Sequence, residues 1–127
     1  MSDPARALSQ VLGRGSAHEG AHHWRLQRLT ALALLLLGPW FVISLALLPQ
    51  LDFTTVRGWA GSAGHAALLL LLVISACWHS HLGVQVVIED YVRGAARGVA
   101  LVLSGFVHVL LVAIAMLAIV RLALGAH

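Results

Sequence analysis

Eight histidines stand in a chain of 127 residues in which only 10% of the side chains are charged. Four of them, His65, His79, His81 and His108, lie within apolar runs. An imidazole in hydrocarbon costs several kcal/mol unless something takes up its polar atoms, so each one marks either a site or a bond between helices. The chemistry open to such a ring is axial ligation of haem iron. The single cysteine, Cys77, excludes a disulfide framework within the chain and argues against a thiolate metal site.

Spacing sorts these histidines. At about 100° per residue on a helix, His81 points about 160° away from His79, so at most one of them serves a given haem. Asp90 lies about 20° from His79, with Gly83 and Ser75 about 40° to either side. Those two small residues would let a flat macrocycle approach the backbone beside His79. His65 and His79 are 14 residues apart, roughly 21 Å along a helix. Stacked haems would want that interval, but they need a matching His pair on another helix, and the third apolar run offers only His108. His65 reads more simply as an interfacial histidine at the outer end of its span. For His108, whose polar neighbour on its own face is Ser104, ligation and an interhelical hydrogen bond both stand, and the bond is the simpler.

Three further features bear on chemistry. His18-Glu19-Gly20-Ala21-His22 matches the H-E-x-x-H zinc-protease pattern. A third ligand at a recognised spacing is missing and Gly20 weakens the helix it requires, so the match reads as chance in a His-rich stretch. Asp90-Tyr91 closes the second apolar run. A tyrosine there is an interfacial anchor in the ordinary case, yet its phenol also reaches the depth of a quinone head group, with Asp90 beside it to pass protons. Arg28, at the mouth of the first run, is either a topology charge or a partner for haem propionates.

The elements that must carry these residues follow from composition. The chain is 60% hydrophobic, with a mean hydropathy of +0.90, against about 45–50% apolar and about 25% charged in soluble domains. That excludes an ordinary soluble domain and a disordered chain. An all-α integral membrane protein remains, a single anchor domain over 1–127 with spans at about 29–49, 61–88 and 99–121. Each run far exceeds the roughly 9–11 residues of a membrane strand. Residues 1–28 form a polar N-terminal segment without a signal-peptide pattern, so the first run is expected to be a retained span. The connections, 50–60 and 89–98, are short. All eight basic residues are arginines, scattered at the edges of apolar runs rather than gathered in one patch, which argues against a nucleic-acid partner. Arg6, Arg14, Arg25, Arg28, Arg93 and Arg97 fall on one side of a three-span topology, and Arg57 and Arg121 on the other. The excess puts the N-terminus in the cytoplasm.

The stretch from His79 through Gly83 to Glu89-Asp90-Tyr91-Val92-Arg93-Gly94 resembles the second span of the small hydrophobic membrane anchor of succinate dehydrogenase, respiratory complex II. The shared pattern is a His, a Gly four residues on, and Asp-Tyr-Val beginning eleven residues after the His. His18 and Gln27-Arg28-Leu29-Thr30-Ala31 also resemble that family's approach to its first span. The resemblance implies a multi-pass protein of the bacterial inner membrane, packed against a second three-span chain, the cytochrome b556 subunit. Haem b would lie between the two, with His79 as this chain's axial ligand to the iron and Arg28 close to the propionates. Tyr91 would hydrogen-bond ubiquinone as substrate, and Asp90 would lie near the proton route. The flavoprotein and iron–sulfur subunits would dock on the cytoplasmic face and carry the dicarboxylate chemistry, leaving this chain a non-catalytic subunit in the tricarboxylic acid cycle and electron transport. His81 becomes a packing residue on this reading. Two other classes compete: a diheme b-type electron-transfer cytochrome subunit, resting on the His65–His79 interval, and a small proton-conducting membrane protein, suggested by the in-span histidines.

Overall fold

In hydrocarbon a peptide group finds no water, so each long apolar run closes its backbone hydrogen bonds within itself as a helix. The computed structural model describes residues 16–125, and side chains from residue 20 onward. Among the described residues every regular element is helical: α1 (Ser16–Ala46), α2 (Phe53–Gly61), α3 (Ala63–Tyr91) and α4 (Ala95–Ala123). Three stretches are long and apolar enough to cross a membrane, Gly20–Ala46 with 27 residues and Ala63–Tyr91 and Ala95–Ala123 with 29 each. At about 1.5 Å per residue these are roughly 40–44 Å long, against a hydrocarbon core of about 30 Å. Their ends therefore stand in the interfacial layer, where histidine, tyrosine and carboxylate side chains meet water.

Two local features differ from a plain reading of hydropathy. The helix of α1 begins at Ser16, so the His18–His22 stretch is helical despite Gly20; the His18 and Glu19 side chains lie outside the described residues. It also runs on through Pro39, as membrane helices tolerate. The connection 50–60 is not irregular throughout. Asp52 caps α2 by accepting the Thr55 backbone N–H at 2.8 Å, and nine residues then coil before Ser62 turns the chain into α3. The Asp52-x-x-Thr55 spacing carried that signal, although the stretch is too short and too mixed in polarity to stand out. At the other end α3 passes to α4 in three residues, 92–94. Gly94 adopts a φ of 68° there, a backbone conformation that a side chain would strain.

The helix α3 is the centre of the arrangement, packed antiparallel against both α1 and α4, while α2 lies across α4 and α3. The tight end is the one that holds α2. Ala60, Ala66, Leu69 and Ile119 are buried there, with Trp40, Phe41, Trp59, Leu70, Val73 and Leu122 against them. Small residues let the backbones approach: a Cβ on Gly61 would sit 2.8 Å from the carbonyl oxygen of Leu122. Elsewhere the apolar surface faces outward, as at Leu36 and Val102, 74% and 75% exposed. Such faces meet lipid or another chain.

Gly61→Ala tests the tight end. In an open helix the change would stabilise by up to about 1 kcal/mol, but the approach of Leu122 should reverse the sign and cost about 1–3 kcal/mol, read as a lower Tm in detergent. Asp52 supplies a pH dependence. The Thr55 side-chain hydrogen bond, and after it the Thr55 amide, hold its carboxyl below the usual range. Its folded pKa being depressed, the charged cap contributes above about pH 3.9 and is lost as acid takes the pH down through the folded value. Thermal unfolding at pH 6 and pH 3 should show a small acid-induced loss that Asp52→Asn reduces.

Candidate functional site

The middle of α3 carries His79, Ser80 and His81 in sequence, and helix geometry turns them toward different neighbours. His79 is half-buried and faces α1, where its Nδ1 lies 3.1 Å from Thr30 Oγ1. The Thr30 hydroxyl in turn lies 2.9 Å from the Leu26 carbonyl and 3.1 Å from that of Gln27, both one turn back on α1. Thr30 stands in the Gln27–Ala31 segment, but nothing local in the sequence pointed to a contact with a residue 49 positions on. The one available signal was a hydroxyl at the start of an otherwise aliphatic span.

His81 faces α4. Its ring meets that of His108 edge-on, with centroids 5.2 Å apart and planes at 60°. His108 Nδ1 lies 2.8 Å from the Ser104 carbonyl. A carbonyl only accepts, so this nitrogen carries the ring proton, and Nε2 is left to accept from the Ser80 hydroxyl at 3.2 Å. His108 thus makes the interhelical bond that the sequence left open. A cleft of about 1340 Å³ opens beside this pair between the start of α1, the second half of α3 and α4, lined by His22, His23, His81, His108 and Glu89 among others. His79 does not line it. The imidazoles two residues apart therefore serve different sides of α3.

His65 sits at the tight end. Its Nδ1 is 2.6 Å from Ser62 Oγ, and its ring packs against Trp59 and Trp40, with centroids at 5.1 and 6.0 Å. At the opposite end of α3, Gln85 donates to Glu89 at 2.9 Å, and Asp90 and Tyr91 are exposed, Tyr91 by 82%. They lie 11 and 12 residues beyond His79, about 17 and 18 Å along the axis. One helix therefore presents a mid-span imidazole and, three turns on, a phenol and a carboxylate at the wet boundary. Arg28 is exposed on α1, with its guanidinium carbon 5.4 Å from the Trp24 ring centroid. It stands two residues, about 3 Å of helix rise, before Thr30, on the same side of the membrane as Asp90 and Tyr91.

Haem b is the group the resemblance implies, and one chain's share of its ligand set is a single imidazole. Among the described residues no three His, Cys, Asp or Glu side chains converge as they would around a bare metal ion. A single half-buried imidazole with one nitrogen already engaged by Thr30 has its other nitrogen to offer, which is what axial ligation asks of one chain. Gly83, with open space where a Cβ would be, and Ser75 flank it at about 40° to either side. His79 would hold the iron and Arg28 is the cation nearest along α1 for carboxylate substituents.

Residues 2–119 match the family described as succinate dehydrogenase/fumarate reductase transmembrane subunit. A succinate dehydrogenase hydrophobic membrane anchor subunit from Paracoccus denitrificans is 35% identical over 115 residues, covering 90% of this chain and 88% of the relative. The subunits of the same description from Rickettsia bellii and Rickettsia conorii are 38% and 35% identical over 78 and 79 residues, covering 62% and 63% of their own lengths.

Proposed function

Since the chain belongs to the succinate dehydrogenase/fumarate reductase transmembrane subunit family, as a membrane anchor subunit of succinate dehydrogenase, we propose that it holds half of a haem b pocket and half of a ubiquinone-reduction site. The observation that carries this reading is the layout of α3: His79 half-buried at mid-span, with Asp90 and Tyr91 closing the same helix at the interface. The subunit itself contributes no dicarboxylate chemistry. It anchors the enzyme through its apolar spans and positions groups at two depths.

His79 would offer one ring nitrogen to haem iron, and a partner cytochrome b556 subunit packed against the outward apolar faces would complete the pocket. Arg28, about 3 Å of helix rise from Thr30, would be the cation on α1 nearest the carboxylate groups of the macrocycle. When bound, haem b supplies a one-electron acceptor inside the membrane; the redox chemistry is the cofactor's, and the protein supplies position and hydrogen bonds. At the interface the Tyr91 hydroxyl donates to a ubiquinone carbonyl oxygen, where negative charge builds as the ring takes up electrons. Asp90, adjacent and exposed to water, relays protons to the reduced oxygen. The arginine distribution sets these groups on the cytoplasmic side of a bacterial inner membrane, the side on which the iron–sulfur and flavoprotein subunits dock.

Two substitutions separate the two sites. In the purified complex His79→Ala should abolish or transform the reduced-minus-oxidised haem spectrum, and an unchanged spectrum would remove His79 from the iron. Tyr91→Phe deletes one hydrogen bond to a charged oxygen, worth about 1.5–3 kcal/mol, so succinate–ubiquinone turnover should fall roughly 10–100-fold. Reduction of a water-soluble dye by the dehydrogenase subunits should persist. Equal turnover in wild type and Phe variant would discard the quinone role.

A further inference from the structure

We propose that Thr30 is a positioning residue for the iron-binding imidazole: its hydroxyl accepts from the Nδ1–H of His79 and so holds the ring in the tautomer whose Nε2 lone pair is free for iron. This deepens the assignment of His79 as ligand and rests on it. The argument turns on one proton. A threonine hydroxyl has a single hydrogen to give, and three acceptors compete for it: the Leu26 carbonyl at 2.9 Å, the Gln27 carbonyl at 3.1 Å and the ring nitrogen at 3.1 Å. On a helix, threonine habitually donates back to the carbonyls three and four residues before it, and the shorter of these contacts is to Leu26. With the proton given to the backbone, the hydroxyl presents lone pairs to His79, and the nitrogen facing it must be the one that bears hydrogen.

The reverse arrangement, with the hydroxyl donating to Nδ1, would forfeit the backbone bond and place the ring proton on Nε2, the nitrogen the iron needs. The observed set of distances thus selects a ligand-competent tautomer before any cofactor binds. An acceptor on the outer N–H also makes the imidazole a stronger donor to the metal and fixes the plane of the ring. The bond from the Thr30 hydroxyl to the Leu26 carbonyl at 2.9 Å holds its χ1, so the ring is referenced to the α1 backbone rather than to a mobile side chain. The contact ties α1 to α3 at the depth of the iron.

The test uses the whole complex purified from membranes, with Thr30→Val, which replaces the hydroxyl by a methyl of similar size, Thr30→Ser, which keeps it, and His79→Ala as the reference. Three properties are read: haem per flavin, the electron paramagnetic resonance g values of the oxidised haem, and its midpoint potential. Thr30→Val should shift the g values, move the potential positive because the less basic imidazole stabilises the oxidised iron less, and weaken haem retention by about 10-fold or more. Thr30→Ser should restore wild-type behaviour. A Val complex matching wild type in g values and potential, while His79→Ala alters the haem, would overturn the role of Thr30 alone. An unaltered haem in His79→Ala would overturn the ligand assignment and this inference with it. Should the Val complex fail to assemble, Thr30→Ala carries the same readouts with the same consequences.

Discussion

A polar ring placed in hydrocarbon has nowhere to send its hydrogen bonds except to another part of the protein, and the arrangement of this chain is built around that constraint. Three of the in-span imidazoles sit beside a serine or threonine hydroxyl: His65 beside Ser62, His79 beside Thr30, and His108 beside Ser80. A hydroxyl suits the task because it both donates and accepts, and so matches whichever tautomer the other ring nitrogen imposes. For His108 the Ser104 carbonyl imposes it; for His79 the iron would. The same pairing joins α1 to α3 at His79 and α3 to α4 at His108.

The second organising fact is the angular separation of His79 and His81 on α3. Two residues along a helix turn the side chain through most of a half circle, so one imidazole faces α1 and the other α4. The contact with α1 and the contact with α4 are thereby kept on different sides of one helix. The cleft beside His81 and His108 belongs to the second side, and His79 does not line it.

Packing is uneven along the membrane normal. Where α2 crosses α3 and α4, small residues and a group of aromatic rings bring the backbones close. Toward the Asp90-Tyr91 end a cleft opens between the start of α1, the second half of α3 and α4. Among the described residues only Ala60, Ala66, Leu69, Leu82 and Ile119 are buried hydrophobics, which is little core for three spans. A soluble domain so built would not hold together. Here the bilayer supplies the environment for the outward apolar faces, which is how a membrane anchor subunit differs from a self-contained soluble domain.

The number and class of the spanning helices were legible in composition and run length, and so was the placement of His79, Asp90 and Tyr91 on one helix, because spacing along a helix is a local property. Sequence periodicity also separated His79 from His81 correctly. The partners were not legible: that Thr30 meets His79 across 49 residues and Ser80 meets His108 across 28, or that part of the 50–60 connection coils into α2. In a soluble protein an amphipathic stripe shows which face of a helix turns inward. In a membrane chain lipid tails are as apolar as a leucine side chain, so inward and outward faces read alike. Helix rotation and register are then decided by interdigitation of side chains and by a few hydroxyl–imidazole contacts, which exist only once distant segments have packed together.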